Sequence, residues 1–143
     1  MAIKKPAGYS GTPLIQKLGI KPGAKVALLH APNGYEKTLG KLPADVKPSA
    51  SLTAKAEYQF VQFFTKSRAD LEKMLPKLRK NIAHDGMIWV SWPKKSSGVT
   101  TDITEDIIRN TALALELVDV KVCAVDETWS GLKLVIPVKL RKS

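Results

Sequence analysis

Three apolar runs separated by two helical stretches constrain this chain more than any other feature. YQFVQFFT (58–65), MIWVSW (87–92) and VDVKVCAV (118–125) are rich in β-branched and aromatic residues, as buried strands are. Between the first two, KSRADLEKMLPKLRKNIA (66–83) repeats apolar residues at 71, 75, 78 and 82, the stripe of an amphipathic helix. Ser67 stands at its N-cap with Asp70 three residues on, and Pro76 predicts a bend or two abutting helices. His84-Asp85-Gly86 closes it. A second helix is expected over 102–117, with Asp102 and Glu105 in capping-box spacing. Strand, helix, strand, helix, strand predicts a mostly parallel sheet with helices on its faces.

The flanks complete the pattern. PLIQKLG (13–19) suits a short helix with proline in its first turn and glycine at its end. A turn at Pro22-Gly23 precedes a strand over 25–29, a helical turn falls around 35–39, and SASLTA (49–54) forms a weak strand. LKLVIPVKL (132–140) pairs with 118–125 through the DETWSG turn, and sets Leu132, Leu134, Ile136, Val138 and Leu140 on one face. The fold expected is a small Rossmann-like α/β sandwich, one domain over 1–143, with an antiparallel last strand and a loosely structured arm over 1–12.

Composition narrows the setting. Hydrophobic residues make 44% of 143 and charged residues 25%, which suits a folded domain with a core. No apolar run approaches the ~18 residues of a membrane span. The lone Cys123 cannot close an internal disulfide, so a reducing cytoplasm is expected, with this cysteine as a small core hydrophobe. A net charge of +10 attracts anions, but the lysines are dispersed and no basic recognition helix or aromatic-basic alternation exists. Nucleic-acid binding is permitted without being indicated.

In open parallel sheets, ligands bind outside the carboxyl ends of the strands. Those ends are here His30-Ala31-Pro32-Asn33-Gly34, Thr65-Lys66-Ser67, Trp92-Pro93-Lys94-Lys95-Ser96-Ser97-Gly98 and Asp126-Glu127-Thr128-Trp129-Ser130-Gly131. Asn33, Lys66, Ser67, Lys94, Lys95, Ser96, Ser97 and Trp129 are the candidate ligand-binding residues. The lysines supply charge, the indole a stacking face, and two helix N-termini nearby supply N–H groups for a small anionic ligand. His30, Asp126 and Glu127 are the groups able to act as acid or base. Each has an ordinary structural alternative as loop, turn or solvated residue. Trp89 and Trp92 read as core. No phosphate-binding GxxxxGK[ST] loop, GxSxG elbow or metal-ligand spacing is present.

LPKLRKNIAHDGMIWVSW (75–92) resembles the helix, turn and strand of class I S-adenosylmethionine-dependent methyltransferases, and the hairpin ending at Leu140 resembles that family's reversed last strand. GYSGTPLIQKLGIKPG, WPKKSSGVTTDITED and VKVCAVDETWSGLKLV resemble stretches of a family of short, uncharacterised bacterial proteins. The first resemblance implies a shortened methyltransferase-like fold from about Pro13 onward and, where the cofactor loop is kept, S-adenosylmethionine. This chain departs there. HAPNGYEK replaces a glycine-rich loop, and the second strand ends at Ala54-Lys55 rather than in a carboxylate. The cofactor is disfavoured on that ground. Pro137 would sit badly in an interior last strand. The leading expectation is a small-ligand, anion-binding protein. The alternatives are a divergent methyltransferase and a basic nucleic-acid- or protein-interaction module.

Overall fold

A computed structural model describes residues 13–53 and 57–141. The arm over 1–12 and the Ala54-Lys55 strand end lie outside those residues. Helix α1 (Leu14–Leu18) starts at Pro13 and stops at Gly19, whose φ of 87° is a left-handed C-cap. Strand β1 (Val26–Leu29) and the single turn α2 (Tyr35–Leu39) follow where the sequence places them. Strand β2 spans Tyr58–Phe64 and helix α3 Arg68–Asn81, with Ser67 Oγ accepting the Asp70 N–H as its N-cap. Then come β3 (Ile82–Pro93), α4 (Glu105–Ala114), β4 (Val118–Ala124) and β5 (Trp129–Val135).

The five strands lie in the order β1-β2-β3-β5-β4. β1, β2 and β3 pair in parallel, while β5 is antiparallel to both β3 and β4. Four strands therefore run one way and β5 is reversed in the interior. This is a small Rossmann-like α/β fold. Its core has two halves. Leu71, Leu75 and Leu78 of α3 and Ile108 and Ala112 of α4 cover one face of the sheet, against Val61, Phe63, Ile88, Val90, Leu132 and Leu134. Leu14 and Leu18 of α1 and Tyr35 and Leu39 of α2 cover the other, against Phe60, Phe64 and Trp89. Trp89 locks this second layer by donating its indole N–H to Leu18 O at 2.9 Å. Gly131 leaves it room, since a Cβ there would sit 3.0 Å from the Trp89 ring.

Several expectations are corrected. Residues 49–54 do not form a strand among the described positions: Ser49 alone pairs with β1, through its bonds to Val26 and Leu28. β3 begins at Ile82, five residues early, because His84-Asp85-Gly86 is absorbed as an irregularity in its pairing with β2. Gly86 makes that possible, as a Cβ there would meet Tyr58 O at 2.7 Å. Pro76 lies inside a continuous α3. α4 starts at Glu105 under a Thr104 cap, not at Asp102, and ends at Ala114. β5 stops at Val135, ahead of Pro137, so Val138 and Leu140 ride an exposed 3-10 turn rather than the core face. Proline and an interior last strand are thus reconciled: the ring simply lies beyond the ladder.

Candidate functional site

The carboxyl ends of β1 to β4 and the start of β5 share one rim, and the expected segments divide there among three hollows rather than meeting in one. The first group surrounds a cleft of about 430 Å³ lined by His30, Pro32, Thr65, Lys66, Ser67 and Trp129, with Phe64 and Asp70 completing it. His30 leaves β1 with φ 56°, a left-handed conformation that a residue with a side chain adopts only under constraint. Its ring centroid lies 5.3 Å from that of Phe63, and its Nδ1 is 3.8 Å from Asp70 Oδ2. The same carboxylate oxygen accepts the Thr65 hydroxyl at 3.0 Å, and Thr65 Oγ1 accepts the Ser67 N–H at 3.2 Å. Asp70, legible only as a helix-cap residue, therefore ties His30 to the end of β2.

Trp129 is also part of the wall. Its ring meets Phe64 edge-on at 5.1 Å and 88°, and Phe64 meets Tyr35 at 4.7 Å and 74°. Behind this aromatic row, Tyr35 donates to Gln62 Oε1 at 2.6 Å and Gln62 donates to Ser91 Oγ at 3.0 Å, all three side chains being buried. Burial, partly offset by the Gln62 bond, pushes the Tyr35 hydroxyl well above the usual tyrosine range.

Lys94 and Lys95 belong elsewhere. They line a second cleft of about 640 Å³ with Trp92, Thr100, Thr104 and Ser130. The two clefts are separated by the end of the β3–β5 ladder, where Pro93 pairs with Trp129 and Trp92 with Ser130. Ser97 lines neither: its hydroxyl donates to Lys94 O at 2.6 Å and accepts the Val99 N–H, which holds the turn. Ser96 and Asn33 are exposed outside both. Asp126 and Glu127 border a third concavity, with Leu14, Thr38 and Leu39, and do not meet His30. Asp126 Oδ1 accepts the N–H groups of Thr128 and Trp129 at 2.8 Å each, so it shapes the hairpin turn. Burial raises the Cys123 thiol, in keeping with a hydrophobe rather than a nucleophile.

The helix N-termini are less open than expected. At α3 the Arg68 N–H is taken by Asp102 Oδ1 at 2.7 Å and the Asp70 N–H by Ser67 Oγ. Asp102 thus caps a helix 34 positions upstream instead of its own. At α4, Thr104 Oγ1 accepts the Ile107 N–H.

The ladder order, the reversed interior β5 and the helices on both faces give a small Rossmann-like α/β fold, the fold also seen in methyltransferases. No family model and no curated protein matches the chain. Among solved structures it is similar to a SAM-dependent methyltransferase from Aquifex aeolicus, at 12% identity and a TM-score of 0.63, over 86% of this chain and 87% of that one. It is also similar to magnesium protoporphyrin IX methyltransferase from Synechocystis PCC 6803 with bound SAH, at 13% identity and a TM-score of 0.60, over 85% of this chain and 77% of that one. The CcbJ methyltransferase from Streptomyces caelestis matches at 8% and 0.55, covering 86% of each chain. Such identities speak for the fold. Among the described residues no helix is long and apolar enough to cross a membrane.

The residues after β1 do not fit a cofactor cradle of the dinucleotide kind. His30 fills the first turn with a ring packed on Phe63, and Pro32 has no N–H. Gly34, at φ 79°, serves as N-cap of a five-residue helix. A loop of that kind needs glycine so that backbone N–H groups approach a ligand closely.

Proposed function

We propose that this protein is a binding protein whose ligand occupies the His30–Trp129 cleft, and that the ligand is a small anion with a flat apolar portion. The observation that carries this reading is the convergence of three chain-separated segments on that cleft, with a partly exposed indole and a lysine both in its lining. Trp129 offers a stacking surface held by Phe64, Lys66 offers charge, and His30 offers a ring nitrogen beside Asp70.

A divergent methyltransferase is the second reading, favoured by solved neighbours named as SAM-dependent enzymes or holding SAH. The loop after β1 weighs against it, so no methyl-transfer step is derived. Tryptophan-fluorescence titration separates the two, with adenosine monophosphate as the flat anionic probe and S-adenosylmethionine as the competitor reading. Saturable quenching by the nucleotide, lost in Trp129→Ala and weakened in Lys66→Ala, is the expected result. Saturable S-adenosylmethionine binding would replace the reading with the enzymatic one, and no saturable response to either probe would remove the cleft as a site.

A further inference from the structure

The second cleft carries a site of its own. Its floor is the end of β3 and its rim is the Lys94–Thr104 segment, which is pinned at four points. Lys94 N–H donates to Thr128 O at 2.8 Å, and Ser97 closes the turn over Gly98, whose φ is 76°. Thr101 Oγ1 donates to Lys66 O at 2.7 Å and accepts the Ile103 N–H, and Asp102 is held on α3. The cleft is therefore a fixed concavity rather than a gap under a loose loop.

Its polar lining is unbalanced. Lys94 and Lys95 have no ion-pair partner among the described residues. The one acidic residue in the wall, Glu105, is paired with Arg109, which also holds Asp106 and Asp119. Trp92 is the most informative member. It is only 8% exposed, yet its indole N–H has no acceptor among the described residues, whereas that of Trp89 is satisfied by Leu18. Among the described residues no fully buried side-chain nitrogen lacks a partner, so this N–H keeps contact with solvent, and Trp92 is part of the wall of the cleft. Thr104 caps Ile107 alone, leaving its own hydroxyl proton free and the N–H groups of Glu105 and Asp106 uncommitted. Donors thus outnumber acceptors on every side.

We infer that this cleft is a phosphate site, independent of the His30 cleft, in which Lys94 and Lys95 hold the charge and the Trp92 indole N–H and Thr104 hydroxyl donate to oxygens. A group with several acceptor oxygens and more than one negative charge suits two ammonium ions and fixed neutral donors. The phosphate is either free or carried as a monoester on a small molecule, and the test distinguishes these sources.

The experiment titrates ¹⁵N-labelled protein with inorganic phosphate and with phenyl phosphate at low salt, and follows the three indole N–H signals. The Trp92 signal, identified by its loss in Trp92→Phe, shifts and saturates, while Trp89 stays fixed. Tighter binding of phenyl phosphate identifies a monoester, and tighter binding of inorganic phosphate the free ion. Lys94→Ala/Lys95→Ala, which alters only the cleft rim, weakens either probe by at least ~10-fold. Trp129→Ala leaves phosphate binding unchanged, which separates this site from the other cleft. The inference is overturned if the Trp92 signal does not move, if it drifts without saturating, or if the two-lysine variant responds like the parent. An oligonucleotide that displaces phosphate, also perturbs Lys66 and Trp129, and dissociates steeply with salt would replace it with a nucleic-acid surface.

Discussion

Replacing Tyr35 with phenylalanine tests the polar ladder beneath the aromatic row. The hydroxyl is lost from a place where Tyr35 is 2% exposed and Gln62 and Ser91 are fully buried. Packing of the ring on Phe64 survives, but Gln62 Oε1 loses the donor that reached it at 2.6 Å. A buried acceptor left without a partner costs about 1–3 kcal/mol, or roughly 2–12 °C in Tm for a domain of this size. Urea denaturation followed by far-UV circular dichroism measures it at neutral pH.

Alkaline pH supplies a second, independent readout of the same substitution. Burial raises the folded-state Tyr35 hydroxyl above its ordinary value of about 10. A group shifted that way stabilises fully below the unfolded value and loses its contribution as pH rises above it, by up to ~1.4 kcal/mol per unit. The parent therefore loses stability above pH ~10 along a slope that Tyr35→Phe lacks, and the gap between the proteins narrows. Tyr58 is shifted down, chiefly by its bond with Thr53, but it is common to both and cancels. A neutral-pH difference below ~0.5 kcal/mol, or parallel curves through the alkaline window, would refute the ladder as drawn.

Other substitutions probe other joints. Asp102→Ala frees the Arg68 N–H and should cost ~1 kcal/mol, with faster hydrogen exchange at the Arg68 amide as its signature. Gly86→Ala drives a Cβ to 2.7 Å from Tyr58 O and should cost ~1–3 kcal/mol or more, read by chemical denaturation. Pro76→Ala restores a donor to an uninterrupted helix and should raise stability by ~1–2 kcal/mol after the unfolded-state entropy is counted, which calorimetry can measure.

What the sequence reveals divides along physical lines. Ser67 at the head of α3, Gly19 at the tail of α1 and the apolar runs of β2 and β3 are local signals, and each appears where patterning puts it. Pairings made at a distance leave no such trace. Nothing near Asp102 in the chain announces that it caps a helix 34 residues upstream, and nothing near His30 announces Asp70. The rim was legible because strand direction alone gathers the loops, yet its division was not. That depends on register, since Pro93 facing Trp129 and Trp92 facing Ser130 put the ladder's end between two hollows. Trp92 shows the subtlest loss: it is as apolar in pattern as Trp89, yet it lies in the opposite core layer and its N–H has no acceptor such as Leu18 gives Trp89.

The interior place of β5 bears on how the chain is made. Synthesis delivers β1, β2, β3 and β4 before the strand that joins β3 to β4 exists. Until then the nascent polypeptide holds a three-stranded sheet with an open β3 edge and a β4 segment with no partner strand, a state prone to pairing with a neighbour. Closing the sheet last makes its far edge depend on the final strand: a ribosome that stalls before Trp129 leaves β3 with an open edge and β4 with no strand to pair with, not a sheet merely one strand shorter.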